Sequence, residues 1–136
     1  MTNDAKQMER WPSLPFSEWK DTYATLHMWT QIVGKVRLAL GPDLNHCWGV
    51  AFYVTARGLT TSPIPFDQET FEVHFDFIAH TLEVTTSFGE SRSFPLAPRT
   101  VAEFYAEFME ALNSLNFEVG CEGSIVFAIG ALRNGV

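Results

Sequence analysis

The order of apolar patterns along the chain predicts an α+β fold. It consists of an antiparallel sheet with a long N-terminal helix and a second helix after a strand meander, both helices on one face. Three observations carry this. Apolar residues recur at helical steps between Trp19 and Leu40. Alternating runs then follow one another from Thr70 to Leu96 with no helical stretch between them, so strands are grouped rather than interleaved with helices. A capping box at Thr100-Val101-Ala102-Glu103 opens a second helical pattern. With 136 residues the chain has the length of one domain. The expected division is an irregular lead over 1–14, a single α+β domain over 15–117, and a tail over 118–136.

The lead contains Trp11-Pro12-Ser13-Leu14-Pro15, whose two prolines favour extended backbone. Trp11 and Leu14 are expected to pin it to the domain surface. Ser17 is the expected helix cap, with Glu18 in the favourable first turn. Trp19, Tyr23, Leu26, Trp29, Val33, Val36 and Leu40 then form the apolar stripe, and Gly41-Pro42 stops the helix. A helix over 18–40 is roughly 35 Å long, so it is expected to cross the whole sheet. Gly34 weakens it by about 1 kcal/mol relative to alanine, which implies close packing or ligand approach.

A turn at 43–46 leads into a strand over Cys47–Arg57. Its two faces are both apolar or small, as in a central or doubly covered strand. Gly58 to Phe66 is hydroxyl-rich with two prolines and reads as a loop. From Thr70 to Ile78, Phe71, Val73, Phe75 and Phe77 face one way and Glu72, His74 and Asp76 the other. Leu82, Val84 and Thr86 repeat the pattern. A tight turn at Ala79-His80 pairs Phe75 with Val84 and places Asp76 opposite Glu83; a four-residue loop keeps the same parity, so the register stays open. Arg92 to Leu96 is the third strand. The second helix carries Val101, Phe104, Tyr105, Phe108, Leu112 and Leu115 and ends near Asn116. In the tail, Ser124 to Leu132 fits either a strand or a small apolar helix.

Composition excludes several classes of function. Apolar residues make up 46% and charged residues 18%, which is a folded rather than a disordered composition. Acidic residues outnumber basic ones 16 to 9, which argues against nonspecific nucleic-acid binding and against a polybasic membrane patch. No apolar run approaches the roughly 20 residues of a membrane span. Cys47 and Cys121 form no CxxC motif, and His27, His46, His74 and His80 make no zinc-spaced pair, so no metal site is expected. Free thiols and an N-terminus without an apolar signal core point to a cytoplasmic protein.

Polar candidates cluster in three places. His27, Gln31 and Lys35 recur at i, i+4 and i+8 along one side of the first helix, with Thr30, Gly34 and Arg37 on the adjacent strip. No acidic residue falls between Asp21 and Asp43, so Lys35 and Arg37 can present a cationic site. The segment Thr55 to Pro63 holds Arg57, Gly58, Thr60 and Thr61, a set able to hold a carboxylate or phosphate but without P-loop spacing. On the hairpin, Glu72, His74, Asp76 and Glu83 form a polar face that admits acid–base chemistry or a cation, or is simply solvated. There, opposed carboxylates would need Arg92, a bound cation or the other register to offset them.

The stretches Trp11 to Pro15, Thr25 to Leu38, Asn45 to Trp48 and Tyr53 to Pro65, continued by Phe75-Asp76-Phe77 and Val101 to Tyr105, resemble a bacterial family of uncharacterised proteins. The resemblance covers roughly 11–117 and implies a shared fold without an activity to transfer. It also implies longer relatives with a second region, so a natural short form, a truncated frame or a fragment are all open here. The leading expectation is a binding domain for a small anionic metabolite. Gln31, Lys35, Arg37, Arg57, Thr60 and Thr61 would be its ligand-binding residues and His27 the candidate acid/base should it be an enzyme. The cofactor is unknown. The alternative is a protein–protein or self-association module, including a homodimer, that uses exposed aromatics and a free sheet edge.

Overall fold

The computed structural model describes residues 11–40 and 51–117. Helix α1 runs over Phe16–Leu40. Six strands follow: β1 Tyr53–Val54, β2 Gly58–Thr60, β3 Ile64–Phe66, β4 Glu69–Asp76, β5 Thr81–Thr86 and β6 Ser91–Pro95. Helix α2, Val101–Ser114, closes the described part. The strands make one antiparallel sheet in the order β1-β2-β4-β5-β6, with β3 also pairing with β4. This is the expected α+β arrangement of one helix before the strands and one after the meander.

Both helices pack on the same face of the sheet. Phe71, Val73 and Phe75 of β4, Leu82 and Val84 of β5 and Phe94 of β6 project toward them. Trp29, Ile32, Val33 and Val36 of α1 and Phe104, Phe108 and Leu112 of α2 meet them from the other side. Trp29 stacks on Phe104 with ring centroids 5.0 Å apart and planes at 10°. Each fully buried phenylalanine or leucine here contributes roughly 1.5–3 kcal/mol relative to exposure. One buried donor, the Trp29 indole N–H, has no acceptor among the described residues.

Both ends of α2 are chemically specified. The Thr100 hydroxyl accepts from the Glu103 N–H at 3.2 Å, and the Glu103 carboxylate accepts from the Thr100 N–H at 2.8 Å. At the far end Asn116 adopts φ 65°. The N–H groups of Asn116 and Phe117 return to the carbonyls of Asn113 and Leu112, which is a Schellman termination. Phe117 thereby turns back into the core against Phe71, at 4.4 Å between ring centroids.

Several expectations are corrected. Helix α1 starts at Phe16, one residue before the expected cap Ser17, with the Pro15 carbonyl accepting from Glu18. It does not bury its stripe along its whole length. Burial begins at Trp29, while Phe16 and Tyr23 stay exposed. Trp11 (92% exposed) and Leu14 (63%) do not pin the lead to the surface. The expected loop 58–66 contains β2 and β3, because both pair with β4. Pro65 is tolerated there because β3 is a short outer strand. Of the strand expected over 47–57, residues 51–57 hold only the two-residue β1. The turn 43–46, Cys47 and the tail 118–136 lie outside the described residues.

The hairpin takes the longer loop. Phe75 pairs with Leu82 and Asp76 with Thr81, leaving residues 77–80 as the turn, with His80 at φ 56°. Phe77 therefore leaves the core row and is exposed. The same register separates Asp76 from Glu83 and sets His74 opposite Glu83 instead. The opposed-carboxylate conflict disappears without help from Arg92, which pairs with Val84 and so belongs to the helix-covered row.

Candidate functional site

A cleft of about 270 Å³ lies against the C-terminal half of α1. Thr30, Gln31, Gly34, Lys35 and Leu38 line it from the helix and Ala51 and Phe52 from the segment before β1. Residues 31, 34, 35 and 38 lie at i, i+3, i+4 and i+7, so they share one helical face by geometry alone. Gly34, which is buried, sits at the middle of that face and adds no side chain to it. Phe52 is anchored edge-on to Phe75 at 6.0 Å, which ties this wall to the sheet core. Among the described residues no carboxylate lines the cleft. Among the described residues, the Lys35 ammonium makes no ion pair, and the Gln31 amide makes no hydrogen bond to the protein. The Thr30 hydroxyl donates to the His27 carbonyl at 2.8 Å, leaving its oxygen able to accept.

Arg37, two positions beyond Lys35, points elsewhere. It is 6% exposed. Its Nη1 donates to the Ala51 carbonyl and its Nη2 to the Ser62 hydroxyl, the latter at 2.9 Å. Burial pushes its pKa below the ordinary value, and contact with Tyr53 acts in the opposite sense. The guanidinium thus fastens the Ala51 wall of the cleft and the link between β2 and β3 to α1.

Arg57, Thr60 and Thr61 belong to the sheet. The Arg57 Nε donates to Asp76 at 2.7 Å. The other Asp76 oxygen accepts from the N–H groups of Ile78 and Ala79 at 2.9 and 2.8 Å. Together these hold the Asp76 carboxyl down to about 2, the Arg57 contact first. The Thr60 hydroxyl donates to Glu72. Thr61 is fully buried; its hydroxyl donates to the Ser62 carbonyl and accepts from the Val73 N–H at 3.1 Å, standing in for a ladder hydrogen bond. Next to them the Thr55 hydroxyl accepts from the N–H groups of Arg57 and Gly58 and meets His74 Nε2 at 3.0 Å. A hydroxyl committed in this way is a tied turn element rather than an activated nucleophile.

The predicted residues therefore separate. Gln31 and Lys35 share the cleft. Arg37 stands behind its wall, and Arg57 and Thr60 belong with Asp76 and Glu72 to the face of the sheet opposite the helices. His27 is exposed and stacks on Tyr23, with ring centroids 6.1 Å apart, outside the cleft lining. His46 lies outside the described residues. Sequence reasoning did not place Leu38 or Ala51 in the site. Leu38 had a signal, because it continues the Gln31–Lys35 row by three positions. Ala51 had none, since its place depends on a tertiary contact with Arg37. Among the described residues no group of three or more histidine, cysteine or acidic side chains is arranged to hold a metal ion. None of their helices is long and apolar enough to cross a membrane.

Among the described residues the fold is α+β, with a cleft along α1 that has Lys35 in its lining. Residues 11–127 match the family of unknown function DUF5996, and the chain belongs to that family. The match reaches ten residues past Phe117, further than the resemblance read from the motifs. No curated protein and no solved structure matches the chain.

Proposed function

We propose that the protein is a cytoplasmic binding domain for a small anionic metabolite, held in the α1 cleft. One observation carries the reading: the ammonium of Lys35 and the amide of Gln31 line a concave surface without an ion-pair or hydrogen-bond partner among the described residues, in a chain where acidic residues are in excess. A cation that the fold leaves unpaired inside a cleft is available to a ligand. Arg37 supports the site from behind by holding Ala51. Arg57, Thr60 and Thr61 enter this reading as scaffold, because their polar groups are already engaged within the sheet. Titration of ¹⁵N-labelled protein with small carboxylates and phosphate tests it. Saturable shifts confined to Thr30–Leu38 and Phe52 are expected. If none of these anions moves those signals at about 10 mM, the reading fails.

A second reading, self-association, has its own observation. Phe16, Trp19 and Tyr23 form an edge-to-face row on the N-terminal half of α1, with centroids 5.2–6.4 Å apart, and Phe16 and Tyr23 are exposed. Exposed contiguous aromatics of this kind favour a partner surface. Sedimentation equilibrium decides it: a mass rising with concentration, and abolished by Tyr23→Ser, supports the homodimer, whereas a monomer at all concentrations removes it.

A further inference from the structure

Resting on the cleft reading, we infer that the ligand is a monoanion with an apolar body, a small aliphatic or aromatic monocarboxylate, rather than a phosphate or a dicarboxylate. The first reason is a count of usable positive charge. Among the described residues, Lys35 is the single cation lining the cleft. Arg37 already donates to Ala51 and Ser62, and Arg57 is paired with Asp76. One ammonium matches one negative charge. A second charge on the ligand would be left uncompensated in a chain of net charge −7.

The second reason is the polarity gradient along the helix. Along the row Gln31, Gly34 and Lys35 are followed, one turn on, by the apolar Leu38, with Ala51 and Phe52 opposite. Seven residues of helix separate Gln31 from Leu38, about 10 Å of rise. A carboxylate accepting from Lys35 and Gln31 beside Gly34 would direct its carbon chain toward Leu38 and Phe52. Leu38 is a large apolar side chain left 48% exposed. Covering it removes apolar surface from water, a gain that a phosphate ion cannot supply. The third reason is size. At about 270 Å³ the cleft lies just below the range of drug-sized ligand sites, roughly 300–1,000 Å³, which suits a short chain or one ring.

The test compares hexanoate, succinate and inorganic phosphate by calorimetric or NMR titration of the full chain at neutral pH. Hexanoate is expected to bind at least about tenfold more tightly than either competitor. Lys35→Met is expected to abolish hexanoate binding and Lys35→Arg to retain it. Leu38→Asn is expected to weaken hexanoate about tenfold while leaving succinate unchanged. Succinate or phosphate binding as tightly as hexanoate at these same residues overturns the monocarboxylate class but keeps the anion cleft. Absence of binding by all three overturns both. Hexanoate affinity unaffected by Leu38→Asn, in a variant that keeps the wild-type unfolding midpoint, overturns the assigned orientation.

Discussion

The face of the sheet opposite the helices and the α1 cleft are both rich in polar side chains, yet they use them in opposite ways. On the sheet Arg57 pairs with Asp76, Thr60 with Glu72 and Thr55 with His74, and Asp76 also takes two backbone N–H groups from the following turn. These groups satisfy one another and hold the β2–β4 pairing and the hairpin. In the cleft Lys35 and Gln31 have no such partners among the described residues. Polar groups that close on each other stabilise a fold, and those left open in a concavity are free to recognise something else. Sequence context alone placed the two sets in one candidate site; their partners separate them.

Substitutions sharpen this contrast, beginning with the scaffold. Gly58→Ala should be the most damaging, because the new Cβ would lie 1.9 Å from the Phe75 carbonyl oxygen, a backbone atom that cannot step aside. A loss of about 3 kcal/mol or more, or failure to fold, is expected in urea unfolding. Phe104→Ala should cost a similar 3–5 kcal/mol, by opening a cavity between Trp29, Phe94 and Phe108. Equal stability of either variant with the wild type would show that the α1–sheet–α2 layer is not the core.

The effect of pH is smaller and has a definite sign. The Asp76 carboxyl is held at about 2 in the folded protein against an ordinary 3.8, so the unfolded chain takes up that proton first as pH falls. Stability from this carboxylate is fully present above about pH 4 and is lost progressively toward pH 2. Glu103, also held below its ordinary value, by the Thr100 N–H first, acts in the same direction. Urea midpoints measured across this window should fall with pH in the wild type and fall less in Asp76→Asn. A dependence identical in the two proteins would remove Asp76 from the explanation. Smallest of all should be the stability effect of Lys35→Met, within about 0.5 kcal/mol, since no ion pair or hydrogen bond among the described residues is lost.

Much of the architecture was legible because its signals are local. The alternation of β4 and β5 marks one buried face, the capping box marks the start of α2, and helical spacing marks α1. What was not legible depends on partners distant in sequence. Residues 58–66 look like a loop until β4 supplies their hydrogen bonds. The hairpin register has two solutions of equal parity, and the four-residue loop separates Asp76 from Glu83. The stripe of α1 promised burial along its length, yet burial begins at Trp29. In the site, Gln31 and Lys35 were found from spacing on one helix. Arg37 shares their helix, but its direction was set by Ala51 and Ser62, far along the chain.

The most direct measurement sets one residue from each region side by side, comparing unfolding midpoint and hexanoate affinity for Lys35→Met and Arg57→Ala. If the cleft is the binding site and the sheet face is scaffold, Lys35→Met keeps its midpoint and loses hexanoate. Arg57→Ala then unfolds slightly more easily and binds as the wild type does. Loss of binding in Arg57→Ala with binding intact in Lys35→Met would contradict the assignment and move the site to the face of the sheet opposite the helices.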